Sequence, residues 1–465
     1  MLISDARLFV VTLILAMSSM TFALNNGLGL TPPMGYSSWN DCASEVTEER
    51  IKNVTRALIS TGLAAKGYVH VNVDEGWLLG RNETTGEIIE DLQKFPSGMK
   101  ALGDWIHNQT VPGKGKIMKY GLYTSRGTVQ CGTAKYNAVG SHGFEAQDAA
   151  WFAAAGADYA KIDSCGGSQD HDTAFSDYSK WRDGFNKTGR PIYFSLCGWH
   201  TWYAPVGAKL GNSWRIAGDG TNWYVFFSFY FSLSLSLTQL FFFRGALSNC
   251  INQNVDLQEY ASPGAWNDPD LLQGTGVGSN DRDKNPSGCF VAAEIPQSNG
   301  WYQTEQQSRA QFSMWSVMAS PLLISADVGQ VSEHQLSTWG NEEIIDISQS
   351  FRKGGPYQGA RLVGGDLNFG KATDGTYTGS GSNVWGKLLP DGDVALVFVS
   401  NEDSPTNVTC DASCFKQVMN DDSVDSYSYH EVWSGEKGVL KRPFSMTNLI
   451  QPHGGVAVYR FKPQQ

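Results

Sequence analysis

The sequence predicts an α/β fold: a (β/α)8 TIM barrel followed by a C-terminal antiparallel β-sandwich domain. Three observations predict it. Short apolar runs recur along the first three quarters of the chain, each ending in a polar or acidic residue. Segments with helical spacing lie between them, as parallel α/β architecture requires. After about residue 355 the helical period stops, and Gly, Asp, Ser and Thr turns separate short strand-like runs.

Taken in order, residues 1–23 read as a secretory signal peptide. Leu8–Met17 is a ten-residue apolar run, small residues follow, and Thr21 and Ala23 suit a cleavage site, although Asp5 offsets Arg7. The barrel is assigned to 24–350. Its strand candidates are Tyr68–Val73 before Asp74, Tyr120–Tyr123 before Thr124, Tyr159–Ile162 before Asp163, Ile192–Leu196 before Cys197, Trp214–Gly218 before Asp219 and Pro321–Ile324 before Ser325. Glu48–Ser60 sets Ile51, Val54, Leu58 and Ile59 near one face, and Glu145–Ala155 is Ala-rich and stops at Gly156. Polar residues at strand C-termini are the barrel pattern, because the active site sits on that face. A doubly wound sheet is the alternative, but the Gly-rich phosphate loop expected after its first strand is missing. The β domain is assigned to 355–465, with Val394–Val399, Tyr427–Trp433 and Val456–Phe461 as strands. One segment breaks the pattern. Val225–Phe243 is nineteen residues of mostly Phe, Ser and Leu without a charge, long enough to span a bilayer but set inside a soluble pattern. It reads as a retained intron end or a lineage-specific insertion rather than a membrane span, and a mature transcript carrying it rules out the intron.

Composition narrows the class. With 41% hydrophobic and 17% charged residues the chain is globular, and Lys+Arg 35 against Asp+Glu 46 gives a net charge of −11. That balance argues against a nucleic-acid or anionic-membrane partner. Five N-x-Ser/Thr sites, at Asn53, Asn82, Asn108, Asn186 and Asn407, follow the apolar leader and point to a glycosylated protein that is secreted or vacuolar/lysosomal. The eight cysteines are then candidate disulfides, and Cys410–Cys414 spacing brackets a small loop. No C-x-x-C pair or spaced His pair suggests a metal, and no cofactor motif is present.

The chemistry sits in acids at strand ends. Lys161 and Asp163 fall on one side of a strand, because side chains alternate, and the ammonium is expected to keep the carboxylate ionised. A buried structural ion pair is the commoner fate of such neighbours. Arg215 and Asp219 supply a second acid at another strand end. Two carboxylates about 5–5.5 Å apart serve a retaining glycosidase, and a wider gap an inverting one. Asp74 and Glu75 form a third cluster able to accept bonds from two sugar hydroxyls, with Trp77 as an apolar wall. Asp268 and Asp270, flanking Pro269, form a fourth, ordering their loop or touching ligand. His70, His107 and His142 read as satisfied core or loop histidines.

These residues lie in longer motifs, in order: LTPPMGYSSWN (30–40), HVNVDEGW (70–77), FPSGMKALGDW (95–105), YGLYTSRG (120–127), DYAKIDSC (158–165), NSWRIAGD (212–219), PGAWNDPDLL (263–272), MASPLLISAD (318–327) and QPHGG (451–455). Together they resemble the α-galactosidase (melibiase) family, glycoside hydrolase family 27, over nearly the whole chain outside the Phe/Ser segment. The resemblance implies a barrel plus β domain, retention of anomeric configuration and no metal. It makes Asp163 the nucleophile and Asp219 the acid/base. Lys161 and Arg215 become sugar-hydroxyl ligands, Asp74 and Glu75 the acids at the 4- and 6-hydroxyls, and Trp39, Tyr123, Cys197 and Asp270 pocket residues. Cys131–Cys165 matches a family disulfide.

Three departures stand out. The usual Asp-Asp-Cys-Trp is Asp74-Glu75-Gly76-Trp77, which leaves Cys42 free or differently paired. Glu75 is longer than Asp by one C–C bond, roughly 1.5 Å. That crowds the C6 hydroxymethyl of galactose, a group that β-L-arabinopyranose lacks. Cys197-Gly198-Trp199 lacks the Glu common after this Cys, whose role is either lost or passed to His200. The expected partner is therefore a carbohydrate with terminal galactose or L-arabinopyranose. A lectin-like binder and an inactive splice variant are the readings from other classes. The oligomeric state stays open, a homodimer included.

Overall fold

The computed structural model describes residues 26–132, 139–220, 247–274, 303–371, 377–419 and 423–464. The leader over 1–23 and the segment Val225–Phe243 lie outside the described residues. Among the described residues ten strands precede residue 355: β1 Met34–Ser37, β2 His70–Asn72, β3 Leu78–Arg81, β4 Ile88–Glu90, β5 Lys119–Ser125, β6 Tyr159–Asp163, β7 Tyr193–Leu196, β8 Ser213–Arg215, β9 Trp266–Asp268 and β10 Leu322–Ile324. Eight of them form one sheet in the order β10-β1-β2-β5-β6-β7-β8-β9, with each adjacent pair in that order parallel. A parallel bridge from Leu272 to Ile324 joins its two ends and closes the barrel. The remaining two, β3 and β4, follow β2 in the chain and pair with each other as a separate antiparallel hairpin.

Helices cover the outside because their sequences start and stop them. Glu48–Ser60 opens on Thr47, whose hydroxyl accepts from Arg50 N, with Glu48 and Glu49 in the first turn facing the positive helix end. Glu305–Val317 opens on a capping box between Thr304 and Gln307. His171–Thr188 ends at Gly189, whose φ of 72° is left-handed. Burying both faces of the sheet takes bulk. Trp77, Phe152 and Trp181 fill the layer between β2, β5 and two outer helices, with Trp77 stacked on Trp151 at 5.1 Å.

The strands after residue 355 are β11 Ala360–Gly364, β12 Asn368–Lys371, β13 Tyr377–Ser380, β14 Ser382–Leu388, β15 Val394–Ser400, β16 Thr406–Cys410, β17 Ser426–Glu431, β18 Lys437–Lys441, β19 Met446–Ile450 and β20 Gly455–Pro463. A six-stranded antiparallel sheet runs β11-β14-β15-β20-β17-β18, and β12–β13 and β16–β19 form separate pairs. Leu396, Phe398 and Phe461 pack with Val408 and Ile450 between the large sheet and the β16–β19 pair. The alternate residues Ala395, Val397 and Val458 join the barrel's own buried cluster instead, as a strand's twofold alternation dictates. Polar ties follow the same seam. Lys387 Nζ donates to the Ile347 carbonyl at 2.5 Å, Arg460 pairs with Asp346 at 2.5 Å, and Trp433 Nε1 donates to Ser313 Oγ at 3.1 Å.

The sequence misses one element here. Asp411 caps a helix over Ala412–Val418 by accepting from Ser413 N and Cys414 N. At seven residues it is too short for a helical period to show. The Cys410–Cys414 disulfide closes its first turn.

Candidate active site

The C-terminal ends of the barrel strands carry the charged side chains. Asp163 ends β6, and Lys161 lies two residues earlier, so both side chains leave the strand on the inner side. Asp74 follows β2, Tyr123 lies in β5, Cys197 follows β7, Arg215 ends β8, and Asp270 follows β9. Asp74, Tyr123, Lys161, Cys197, Arg215 and Asp270 line one cleft in the barrel mouth.

Asp163 is held from two sides. Ser164 N donates to Oδ1 at 2.8 Å, and the Tyr123 hydroxyl lies 3.0 Å from Oδ2. Lys161 does not bond Asp163. Its ammonium pairs with Asp74 Oδ2 at 2.9 Å, an oxygen that also accepts from Ser37 Oγ at 3.0 Å. The expected ionising effect of Lys161 on Asp163 is accordingly outweighed. Burial pushes the Asp163 carboxyl above its usual range, Lys161 draws it down, and the nearby Asp219 charge raises it again. For Lys161 burial acts downward, but Asp74 leads a set of anions that hold the ammonium charged.

Asp219 is different in exposure. About half of its side chain, 52%, is open to solvent, and Arg215 Nη2 reaches its Oδ1 at 3.2 Å. The other guanidinium nitrogen meets Asp270 Oδ1 at 2.9 Å. Asp270 is buried, with a φ of 106° that a non-glycine residue adopts only under constraint. Three bonds supply the constraint: Gly220 N donates to its Oδ2 at 2.7 Å, Trp315 Nε1 to its carbonyl at 2.6 Å, and its own N–H to Asp268 Oδ1 at 2.9 Å. Asp268 thus orders this loop. Burial pushes the Asp270 carboxyl up to about 7 against the pull of Arg215.

Glu75 turns away from Asp74. Gly132 N sits 3.0 and 2.9 Å from its two carboxylate oxygens, and the Tyr123 hydroxyl lies 3.2 Å from Oε2. The Cys131–Cys165 disulfide fastens the loop carrying Gly132 to the residues just after Asp163. Trp39 closes the same corner, its ring so near Gly132 that a Cβ there would lie 2.5 Å from it. Gly76 has a reason of its own. Its φ is 118°, and a Cβ would stand 2.3 Å from the Ser44 carbonyl oxygen. Of the two fates left open for Cys42, the paired one holds, since Cys42 is disulfide-bonded. Cys197 and Cys250 are buried thiols.

Two expectations need correcting. Trp77 is no wall of the pocket: it is fully buried, and its indole N–H donates to the Tyr123 carbonyl at 3.1 Å. Two residues after Glu75, it would share that face in a regular strand, but Gly76 between them, with a φ of 118°, turns it into the outer layer. His200 is exposed and stacks on Trp202 at 5.2 Å rather than lining the cleft. The other histidines are occupied elsewhere. His70 Nδ1 meets the Met34 carbonyl at 3.1 Å and His107 Nε2 meets Asp158 at 2.6 Å, while His142 is exposed.

Sequence reasoning also misses contributors. Gly132 acts through its backbone, which no residue type announces. Arg126, fully buried in the YGLYTSRG motif, holds Ser164 Oγ at 3.1 Å and Asp177 at 3.1 Å, fixing the loop behind Asp163. A charged residue directly after a strand was its signal. A wider cavity opens at the opposite end of the strands, beside Met34, Lys119, Asp158 and Arg190. Asp158 there is committed to His107 and Arg190, and catalytic groups in such barrels lie at the other end.

With this geometry in place, similarity to known proteins is informative. The profile of the family described as Alpha galactosidase A matches residues 31–291 and 298–350. The chain is 31% identical to an alpha-galactosidase of Saccharomyces mikatae over 88% of its own length and 80% of the relative's. It is 30% identical to Alpha-galactosidase A of Cellvibrio japonicus over 94% and 93%. The crystal structure of alpha-galactosidase I from Mortierella vinacea superposes with a TM-score of 0.73 at 25% identity, covering 95% of this chain and 99% of that one. A family profile matching 31–291 and 298–350, with relatives of 30–31% identity aligned over 88% and 94% of the chain, makes the chain a member of the alpha-galactosidase A family.

Proposed function

We propose that the protein is a retaining exo-α-galactosidase that hydrolyses terminal non-reducing α-D-galactosyl residues of oligosaccharides, polysaccharides or glycoconjugates. The observation that carries the roles is the contrast between two acids within electrostatic reach of each other: Asp163 is buried and gripped, whereas Asp219 is half open. A nucleophile has to be fixed and shielded from water, and an acid/base has to meet the leaving group and then water. In the first displacement Asp163 attacks the anomeric carbon while Asp219 gives its proton to the departing glycosidic oxygen. In the second, Asp219 takes a proton from water as that water displaces Asp163, and two inversions restore the configuration. Lys161, Asp74, Arg215 and Asp270 surround the sugar hydroxyls.

Hydrolysis of nitrophenyl α-galactoside followed by proton NMR tests this. α-Galactose appears first, and Asp163→Asn stops turnover with the fold kept; β-galactose first, or an active Asp163→Asn, refutes the assignment. Binding of galactose without turnover would point to the lectin-like reading.

A second reading, a β-L-arabinopyranosidase on the same scaffold, is favoured only by Glu75. We also propose secretion, or delivery to a vacuole or lysosome. The apolar leader and five sequons support it, and the bridges Cys131–Cys165 and Cys410–Cys414, together with the disulfide-bonded Cys42, suit an oxidising compartment. Retention of the expressed full chain inside a eukaryotic cell, outside the secretory route, would overturn it. Among the described residues no helix is long and apolar enough to cross a membrane.

A further inference from the structure

We propose that Asn407 carries an N-linked glycan whose innermost sugar covers Leu449. The inference rests on the secretory reading above and concerns a face of the β domain unrelated to the catalytic acids. Strands β16 and β19 pair antiparallel, with Asn407 directly opposite Leu449 and Thr409 opposite Thr447. Directly opposed residues share a face, their Cβ atoms about 5 Å apart. The Thr409 and Thr447 hydroxyls meet at 2.8 Å, which shows the closeness of this face. All four side chains are exposed, whereas the alternate residues Val408 and Cys410 of β16 point into the core.

Leu449 is the oddity there, with 61% of its surface in water. Among the described large exposed hydrophobics, none of the others stands in strand register with a sequon asparagine. Asn407-Val408-Thr409 is such a sequon, and strand alternation puts its amide and its hydroxyl on the same open side. Three of the other sequon asparagines spend their side-chain oxygen locally, on Arg56, on the Thr84 and Thr85 amides, and on Lys116.

The modification needs a lipid-linked diphosphate oligosaccharide as donor. Asn407 Nδ2 forms a bond to C1 of its first N-acetylglucosamine, the C1–O bond to the diphosphate breaks, and the amide loses one proton. The first sugar then stands within reach of its cross-strand neighbour. Its C–H face is apolar, so it removes leucine surface from water without demanding a new hydrogen bond.

The full chain, secreted from a eukaryotic host, is digested and its glycopeptides weighed. The Asn407 peptide is expected to carry the added sugar mass. Asn407→Gln is expected to bind more of an apolar fluorescent dye and to lose monomer in size-exclusion chromatography, and Leu449→Ser in the same chain to restore both. Trimming the wild-type glycan to its first sugar should change neither readout, whereas stripping it completely should reproduce Asn407→Gln, which covers a variant that folds poorly. An unmodified Asn407 overturns the proposal even when other sequons are occupied. If no sequon is modified and the chain stays in the cell, the secretory reading fails with it. A dye signal that ignores Leu449→Ser also overturns it.

Discussion

Tyr123 points its hydroxyl at Asp163 Oδ2 across 3.0 Å. The same hydroxyl has Glu75 Oε2 at 3.2 Å, so one proton serves two carboxylates. Tyr123→Phe keeps the ring beneath Lys161, which lies 5.1 Å from its centroid, and removes only the donor. A bond to a charged acceptor is worth about 1.5–3 kcal/mol, so kcat/KM should fall about 10- to 100-fold. Losing a donor also disfavours the Asp163 anion. The acid limb of the pH–rate profile should therefore move to higher pH, and an unmoved limb would show that Tyr123 does not touch the ionisation of the nucleophile.

Glu75→Asp shortens the reach of one carboxylate. If Glu75 limits the space for a hydroxymethyl group, the ratio of α-galactoside to β-L-arabinopyranoside turnover should rise on the order of tenfold, the scale of one methylene in a pocket. Side-by-side kinetics with the two nitrophenyl glycosides read it. A ratio that stays constant removes Glu75 as a selector and with it the second reading.

Replacing both Cys131 and Cys165 by Ser opens a crosslink across a sequence separation of 34 residues. Loop-closure entropy puts the cost near 3–4 kcal/mol. Because that link steadies Gly132, the grip on Glu75 should loosen as well. Calorimetry should show a lower Tm, and KM should rise more than kcat falls; an unaltered KM would separate the link from the pocket.

His70 sets a pH dependence of stability. Burial, and then Lys119, press its imidazole from 6.5 down to about 4. The fold keeps it neutral while the unfolded chain takes up a proton first as pH falls. Its share of stability is thus intact above about 6.5 and is lost on the way down to about 4, up to roughly 3 kcal/mol. Measured by denaturant unfolding, any stability advantage of wild type over His70→Gln should shrink across that interval. A constant difference would mean that the ring protonates inside the fold.

The barrel is legible because its strands are short apolar runs ending in chemistry-bearing residues, and burial on both faces leaves little room for other patterns. The helix over Glu48–Ser60 is legible for the same reason that it folds: a threonine cap, two acids and a repeating apolar face. Partnership is what single residue types conceal. Lys161 and Asp163 alternate onto one side, yet the ammonium chooses Asp74 from another strand. Trp77 follows Glu75 by two residues and still belongs to the outer core, because the glycine between them turns the backbone at a φ of 118°. Backbone donors such as Gly132 N leave no mark in composition at all.

The seam between barrel and β domain bears on how the protein comes apart. Val397 and Val458 are buried with the barrel's residues, and Lys387 ties down the carbonyl end of its last helix. Chain position near 355 is therefore a change of architecture without being a line of weakness. Heating should melt both parts in one cooperative event, and a fragment ending there should emerge sticky, with a raw apolar flank where its missing half belongs.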